Sequence, residues 1–129
     1  MIIKSFELDK INSIKKNLIL IYGSNQGYKN QIIKEIFEKK FEGEILRYDE
    51  IEILDKQEEF ISSLMNKSLF DNEKLIIISR ASDKILNFLD EIMERNIEKI
   101  RVIINSNNLE KKSKLRSLFE KEKELICIP

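Results

Sequence analysis

Residues 18–30 read LILIYGSNQGYKN, and this stretch predicts the fold of the whole chain. Its first five residues form a continuous apolar run of strand length, which is typical of a strand covered on both faces in a parallel sheet. A glycine turn follows at Gly23 and Gly27, and an amphipathic helical pattern begins directly after it. A strand that passes through a glycine turn into a helix has the outline of a phosphate-binding loop.

The chemistry of this loop departs from that of a working phosphate-binding loop. In the pattern G-x-x-x-x-G-K-[ST], the second glycine lets backbone amides approach the phosphates, the lysine contacts the β- and γ-phosphates, and the hydroxyl binds Mg²⁺. Counting from Gly23 places Tyr28 at the second glycine, Lys29 at the lysine and Asn30 at the hydroxyl. Only the lysine is retained, so we expect the loop formed by Gly23, Gly27 and Lys29 to be degenerate and without nucleotide function.

Two other interpretations of the loop stay open from the residues alone. In the simpler one, Gly23 and Gly27 permit a tight strand-to-helix turn, and Lys29 is a solvated charge in the first helical turn. In the other, the N-terminus of the helix is a weak anion site without catalysis.

The carboxylate that a P-loop NTPase needs is missing from the expected place. Such an enzyme holds Mg²⁺ with an acidic residue at the end of a neighbouring apolar strand. Here the apolar run Leu75–Ile78 is followed by Ser79 and Arg80. Asp83 comes one residue after a predicted helix cap, so we expect it to complement the dipole of that helix.

The composition excludes several classes of protein. The 129 residues are enough for one domain with a core, and Lys+Arg and Asp+Glu are 23 each, so the overall charge favours neither a nucleic-acid nor a membrane surface. No apolar run approaches the ~20 residues that span a bilayer, and the first residues lack the order of a signal peptide, so we expect a cytoplasmic protein. One Cys and no His exclude an internal disulfide, a Cys/His zinc site and His-activated nucleophiles.

Apolar periodicity predicts alternating strands and helices along the chain. The predicted strands are residues 18–22, 44–48, 75–78, 100–104 and 124–128. The predicted helices are residues 28–41, residues 56–67, a segment capped by Ser82, and a last segment capped by Asn107 or Asn108. Their predicted apolar faces are Ile32, Ile33, Ile36, Phe37 and Phe41; Phe60, Ile61, Leu64 and Met65; Ile85, Leu86, Leu89, Ile92 and Met93; and Leu115, Leu118 and Phe119. Gly43 is expected to end the first helix, and the pattern of residues 2–14 does not decide between an edge strand and a short helix.

This alternation predicts a three-layer α/β sandwich with a mostly parallel sheet and right-handed crossovers. No repeat, low-complexity tract or linker divides the chain, so we expect residues 1–129 to form a single domain. The chain ends at Pro129 directly after a predicted strand. We therefore expect it to be a fragment of a longer protein.

Three segments carry a resemblance to a known family. They are Leu20–Gly27, Lys67–Ile78 and Leu109–Phe119. Their order and spacing resemble the N-terminal domain of the delta subunit of the bacterial DNA polymerase III clamp loader, and the resemblance extends over nearly the whole chain. It implies an AAA+ fold with a degenerate phosphate loop, in a subunit that neither binds nor hydrolyses ATP. No catalytic residue, cofactor or metal is therefore expected.

The same resemblance implies a function in DNA replication. Delta binds the ring-shaped sliding clamp and helps to open one of its interfaces so that DNA can enter. The clamp-contacting Leu-Phe pair of the family falls on Leu69 and Phe70, and the general peptide pattern Gln-Leu-Ser/Asp-Leu-Phe adds Ser68 and Asn66 to the expected site. Asn66 and Lys67 depart from that peptide pattern. The implied partners are the sliding clamp and, through regions outside this chain, the other clamp-loader subunits; DNA is contacted only indirectly.

The residue types at this corner allow two placements. Leu69 and Phe70 are adjacent, so both cannot point along the predicted apolar face of the preceding helix. An exposed Leu-Phe pair can fill a pocket on a partner, with roughly 2 kcal/mol or more for each anchor. Alternatively, both side chains fold back as a corner of the core.

Two rival functions also fit the sequence. One is a divergent P-loop NTPase or nucleotide kinase, and the other is a generic α/β protein-interaction domain without clamp affinity. A local basic cluster, Lys111, Lys112, Lys114 and Arg116, can meet phosphates. The sequence favours a solvated helix face over this phosphate contact, because acidic residues balance the cluster: Glu110, Glu120, Glu122 and Glu124.

Overall fold

The computed structural model describes residues 18–39, 41–67, 73–95, 100–107, 109–121 and 125–128. The strands are β1 (Leu18–Tyr22), β2 (Glu44–Asp49), β3 (Lys74–Ser79), β4 (Ile100–Ser106) and β5 (Leu125–Ile128). The helices are α1 (Gln26–Ile32), α2 (Glu50–Asp55), α3 (Gln57–Lys67), α4 (Leu86–Arg95) and α5 (Lys114–Lys121). A π-helical segment, Ile33–Glu38, continues α1, and a 3₁₀ turn, Asp83–Ile85, leads into α4.

The strands form one five-stranded sheet in the order β2-β3-β4-β1-β5, and every pairing is parallel. Leu20 of β1 pairs with Ile104 on one side and Cys127 on the other. In β3, Ile76 pairs with Leu46 and Val102. The continuous apolar character of β1, β3 and β4 has a direct cause, because strands in the middle of a parallel sheet are covered on both faces.

Alternate residues of the strands build two separate cores. On one face, Leu18, Leu20, Ile76, Ile78, Val102 and Ile104 pack with side chains of α2, α3, α4 and α5. On the other face, Ile19, Ile21, Leu75, Ile77 and Ile103 pack with Ile32 and Ile33 and with Phe37 of the π-helical segment. The chain is therefore an α/β protein with helices on both faces of a parallel sheet, as the sequence predicts.

The first helix differs from its prediction at both ends. It begins at Gln26, two residues earlier than expected, because Asn25 caps it by accepting a hydrogen bond from the Tyr28 amide at 3.0 Å. The predicted span of residues 28–41 is too long, since regular helix gives way to the π-helical segment, which closes with the Lys39 amide donating to the Lys34 carbonyl at 3.1 Å. Phe41 lies beyond the helix but still packs against the second core.

The prediction that Gly43 ends the first helix is wrong. The helical region has already ended at Glu38, and Gly43 precedes β2 instead. A Cβ at Gly43 would lie 2.1 Å from the Glu73 carbonyl oxygen, and the Glu44 amide donates to that same oxygen at 3.1 Å. Glycine is therefore needed here for the close approach of β2 to the start of β3.

Helix α2 was absent from the sequence prediction. Its N-terminus is a capping box, in which the Asp49 side chain accepts from the backbone and the Glu52 side chain accepts from the Asp49 amide at 3.2 Å. Ile53 is fully buried in the first core. The D-x-x-E spacing of this box is a sequence signal for a helix start.

Two predicted core methionines and one predicted cap are corrected by the structure. Met65 and Met93, in the last turns of α3 and α4, are each 38% exposed. Helix α5 begins seven residues after Asn107, and its first turn is capped by Ser113, whose hydroxyl accepts from the Arg116 amide at 3.3 Å. Asn108 and residues 2–14 lie outside the described residues.

Candidate functional site

The loop after β1 lies at a crevice between β1 and β4. The helix that follows β1 covers one face of the sheet, whereas α5, which follows β4, covers the other face. The connections that leave these two adjacent strands therefore diverge at their carboxyl ends. In open α/β sheets this divergence creates the crevice where ligands bind.

The backbone of the loop makes the turn that the sequence predicts. Gly23 has φ +145°, a conformation that residues with a Cβ rarely adopt. Gly27 has ordinary helical geometry, and a Cβ there would approach nothing closer than the Asn25 side-chain oxygen at 3.8 Å. Tyr28 is 42% exposed, so its ring lies on the surface.

Lys29 is buried, which corrects the expectation of a solvated charge. Only 3% of its surface is exposed, and its Nζ donates a hydrogen bond of 2.6 Å to the Ser106 carbonyl oxygen. Burial lowers the pKa of Lys29, because desolvation disfavours the ammonium form. The contact ties α1 to the carboxyl end of β4 across the crevice.

The end of β4 holds two further polar side chains. Asn105 and Ser106 are 3% and 0% exposed, yet Asn105 Oδ1 and Ser106 Oγ have no hydrogen-bond partner in the described part of the chain. Most buried polar atoms in proteins are paired, so unpaired ones mark a place where water or a ligand can bind. The Asn-Ser pair directly after an apolar run was the sequence signal for this position.

Beyond β4, Arg80 after β3 has a strained backbone, and Glu50 after β2 provides a buried carboxylate. Arg80 has φ +57°, and its guanidinium Nε lies 3.7 Å from an Asp49 carboxylate oxygen. Glu50 is 9% exposed and accepts hydrogen bonds from both the amide and the hydroxyl of Ser82, at 3.0–3.1 Å. The Ser82 hydroxyl in turn accepts from the Lys84 amide, which confirms Ser82 as the cap of the segment leading into α4. No sequence signal identifies the Glu50–Ser82 contact, since the two residues are 32 positions apart.

Asp83 lies in the first turn of the segment capped by Ser82, as expected, and its carboxylate also caps a second helix, α5. Its carboxylate accepts from the Ser113 hydroxyl at 2.7 Å and from the amides of Leu115 and Lys114 at 3.1 and 3.2 Å, all at the start of α5. The hydrogen bond from Ser113, with those two amides and the charge of Lys114, holds the pKa of Asp83 below its ordinary value, although partial burial opposes the shift.

Two charged side chains at this edge, Lys29 and Asp83, are hydrogen-bonded to other groups of the protein. The Lys29 ammonium is directed at a backbone carbonyl, and the Asp83 carboxylate is directed at the start of α5. In the described ranges, no group of three or more Asp, Glu, Cys or His side chains is placed to hold a metal ion. Among the described residues, the buried side-chain atoms without a hydrogen-bond partner are Asn105 Oδ1 and Ser106 Oγ, at the end of β4.

The expected clamp-binding residues are only partly within the described structure. Ser68, Leu69 and Phe70 lie outside the described residues. Asn66 is exposed in the last turn of α3, where it lines a shallow depression with Glu58, Glu59, Ser62 and Ser63. The 68–72 segment thus connects the end of α3 to the start of β3.

The basic cluster is divided by the structure. Lys111, Lys112 and Lys114 are exposed. Arg116 is partly buried instead: its guanidinium donates to Glu120 at 2.7 Å and to the Leu109 carbonyl at 2.9 Å, and it lies 5.2 Å from the centre of the Tyr22 ring. Arg116 therefore belongs to the packing of α5 against β1 rather than to a phosphate-binding surface.

Among the described residues, no helix has the length and apolar character needed to cross a bilayer. The chain matches no protein-family model and no curated protein sequence.

Proposed function

We propose that this chain is a non-catalytic, clamp-binding domain that acts as the N-terminal domain of a clamp-loader delta subunit acts, within an AAA+ fold. Its anchors for the sliding clamp are Leu69 and Phe70. The observation that carries the non-catalytic part of this proposal is the 2.6 Å contact between Lys29 Nζ and the Ser106 carbonyl. The one side chain that the loop keeps from a phosphate-binding pattern is thereby engaged within the fold.

The end of β3 supports the same conclusion. The positions where an NTPase needs its Mg²⁺-holding carboxylate are Ser79 and Arg80. The next carboxylate along the chain, Asp83, accepts three hydrogen bonds at the start of α5. The loop lysine is therefore already hydrogen-bonded within the protein, and the carboxylate that would hold Mg²⁺ is missing from the end of β3.

The Leu-Phe pair follows α3 and precedes β3 in the chain. Helices α3 and α4 precede parallel strands, so each helix runs back along the sheet and ends at its amino edge. The degenerate loop follows β1 instead, so the proposed anchors are far from it in the sequence.

The decisive experiment is a calorimetric titration of the chain with a purified bacterial sliding clamp. We expect binding by the natural sequence and loss of binding by the double variant Leu69→Ala/Phe70→Ala. Two anchors of roughly 2 kcal/mol each correspond to a weakening on the order of a thousandfold.

The matched control is the double variant Tyr28→Ala/Ile51→Ala. Both side chains are large and exposed, at 42% and 69%, and both follow strand ends at the carboxyl edge. Its affinity for the clamp should equal that of the natural sequence. Unchanged affinity of the Leu69→Ala/Phe70→Ala protein would refute the proposal.

A second candidate function, nucleotide binding by a divergent P-loop protein, has one observation in its favour. The unpaired Asn105 Oδ1 and Ser106 Oγ lie on the strand whose end accepts the Lys29 hydrogen bond, so a polar ligand would find partners there. This function requires Lys29 to leave the Ser106 carbonyl and turn toward a phosphate. It predicts that ATP with Mg²⁺ stabilises the folded chain.

A further inference from the structure

The two unpaired atoms at the end of β4 face opposite sides of the sheet, because side chains alternate between the faces along a strand. Asn105 lies on the face of Ile103, which packs with α1 in the second core. Ser106 lies on the face of Ile104, which belongs to the first core. Asn105 Oδ1 is therefore the unpaired atom on the side that α1 covers, and Lys29 reaches the end of β4 from that helix.

Two buried groups on this side, the Lys29 ammonium and the Asn105 amide oxygen, have complementary hydrogen-bonding needs. An ammonium has three N–H donors, and within the described part of the chain Lys29 uses one of them, on the Ser106 carbonyl. Asn105 Oδ1 is an acceptor that receives no hydrogen bond there. Buried polar groups are nearly always paired, so a partner is expected for both.

A hydroxyl group satisfies both of these needs at once. Its oxygen accepts a hydrogen bond from the ammonium, and its proton is donated to the amide oxygen. The ionised oxygens of a phosphate or a carboxylate only accept, so an anion would leave Asn105 Oδ1 without a donor and place a negative charge beside it. An amine donates to Asn105 but leaves Lys29 without a further acceptor.

The groups around this position also favour a neutral partner. In the strand register, Asn105 lies beside Ser79, and Ser79 lies beside Asp49, so three adjacent strand ends present oxygen-bearing side chains on this face. The exposed cation nearby, Arg80, already lies 3.7 Å from the Asp49 carboxylate. At the start of α1, the Asn25 side chain accepts from a first-turn amide at 3.0 Å, so that amide is occupied as well.

Burial restricts the partner to a small group. Lys29 and Asn105 are each 3% exposed, so whatever pairs with them must fit between α1 and the sheet. A water molecule takes up about 30 Å³, and one hydroxyl of a small alcohol is of similar size. A phosphate group is larger and would give up a strongly bound hydration shell on entry.

We infer that the α1 side of the crevice binds a neutral hydroxyl group, which accepts a hydrogen bond from Lys29 and donates one to Asn105 Oδ1. An internal water and a small alcohol are the two sources of such a hydroxyl. This site is independent of clamp binding. It opposes the nucleotide-binding function, in which Lys29 leaves the Ser106 carbonyl for a phosphate.

The test is a high-resolution crystal structure of the natural sequence, grown without alcohols, with further crystals soaked in ethylene glycol or in sodium phosphate. We expect an oxygen atom within hydrogen-bond distance of both Lys29 Nζ and Asn105 Oδ1. If it is a water that remains in the glycol soak, the site is a water site; if a glycol hydroxyl replaces it, the site takes alcohols. A phosphate oxygen at this position, or no density there in any crystal, would overturn the inference.

The variant Asn105→Leu removes the acceptor and keeps a side chain of similar size, so the bound oxygen should be lost from its crystal structure. Ser79→Ala is the matched control, because it removes a neighbouring hydroxyl on the same face, and the bound oxygen should remain. Persistence of the oxygen in Asn105→Leu, or its loss in Ser79→Ala, would contradict the assignment to Asn105. The crystals of the natural sequence decide the question by themselves if Asn105→Leu does not fold.

Discussion

A buried ammonium group needs an acceptor, and in this protein the Ser106 carbonyl oxygen provides it. The Lys29 contact joins a helix on one face of the sheet to the end of a central strand, 77 residues away in the chain. A side chain in this position contributes to the fold whether or not any ligand binds. The ammonium group that would attract a phosphate instead links α1 to the end of β4.

Lys29→Met should destabilise the chain. Methionine keeps the aliphatic stem but removes the donor, so the Ser106 carbonyl loses its charged partner in a buried place. We expect the free energy of unfolding to fall by about 1–3 kcal/mol in urea titrations.

Lys34→Met is the matched control for this substitution. Lys34 is an exposed lysine of the helical region that continues α1, and the same change there should alter the free energy of unfolding by less than about 0.5 kcal/mol. An equally small effect of Lys29→Met would show that the buried contact adds nothing to stability.

Helix α5 depends on a carboxylate supplied from another element. Asp83, at the start of the segment leading into α4, accepts hydrogen bonds from the first turn of α5 and so fixes the two helices relative to each other. A negative charge at a helix N-terminus also complements the helix dipole. The contact is thus a cap between elements, and it makes α5 sensitive to the protonation of Asp83.

The Asp83 contact should be lost in acid. The pKa of Asp83 is lower in the folded chain than its ordinary value of 3.8, so the unfolded chain binds the proton first as the pH falls. The stabilisation is therefore complete above about pH 3.8 and decreases as the pH falls through the lowered folded-state pKa. At neutral pH, Asp83→Asn should reduce the free energy of unfolding by roughly 0.5–1 kcal/mol.

The measurement is the difference in unfolding free energy between the natural sequence and Asp83→Asn, taken from pH 7 down to the lowest pH at which both fold. Asp90→Asn, a change of the same charge at an exposed residue of α4, serves as the control. A difference that stays constant down to the lowest pH would contradict the assignment of the effect to the Asp83 carboxylate.

At the scale of the molecule, the parallel sheet has two edges with different surroundings. The glycine loop, Lys29 and the polar end of β4 are at the carboxyl edge, while the last turns of α3 and α4 are at the amino edge. A partner can therefore bind the amino edge without contact with the crevice. Binding of a partner at the amino edge therefore need not affect binding of a ligand at the carboxyl edge.

ATP with Mg²⁺ should not change the melting temperature of the chain at millimolar concentration. Lys29 is held by Ser106, and no carboxylate follows β3 at the position that holds Mg²⁺ in NTPases. A ligand that binds only the folded state would raise the midpoint in proportion to its saturation, so differential scanning fluorimetry measures this directly. A rise that Lys29→Met abolishes would instead establish the nucleotide-binding function.

Several features were predictable because they depend on local periodicity. The five strands were identified within two residues at each end, and the helical faces of Ile32, Ile33 and Phe37 are buried as expected. The burial of Lys29 also had a signal: it lies four residues before Ile33 and thus on the same helical face. Periodicity shows which face of a helix is apolar, but it does not show how far along the helix the core extends. Met65 and Met93 were therefore wrongly placed in the core.

The sequence by itself determined the order of strands and helices, the parallel sheet with two buried faces, and the departure of the loop from a phosphate-binding pattern, since these follow from residue type and short-range spacing. Only the tertiary structure decided that Lys29 binds Ser106, that Asp83 caps α5, that Glu50 holds Ser82, and that Arg95 reaches Met65. Each of these contacts joins residues about 30 or more positions apart, and their partners become neighbours only when the sheet brings distant strand ends to one edge.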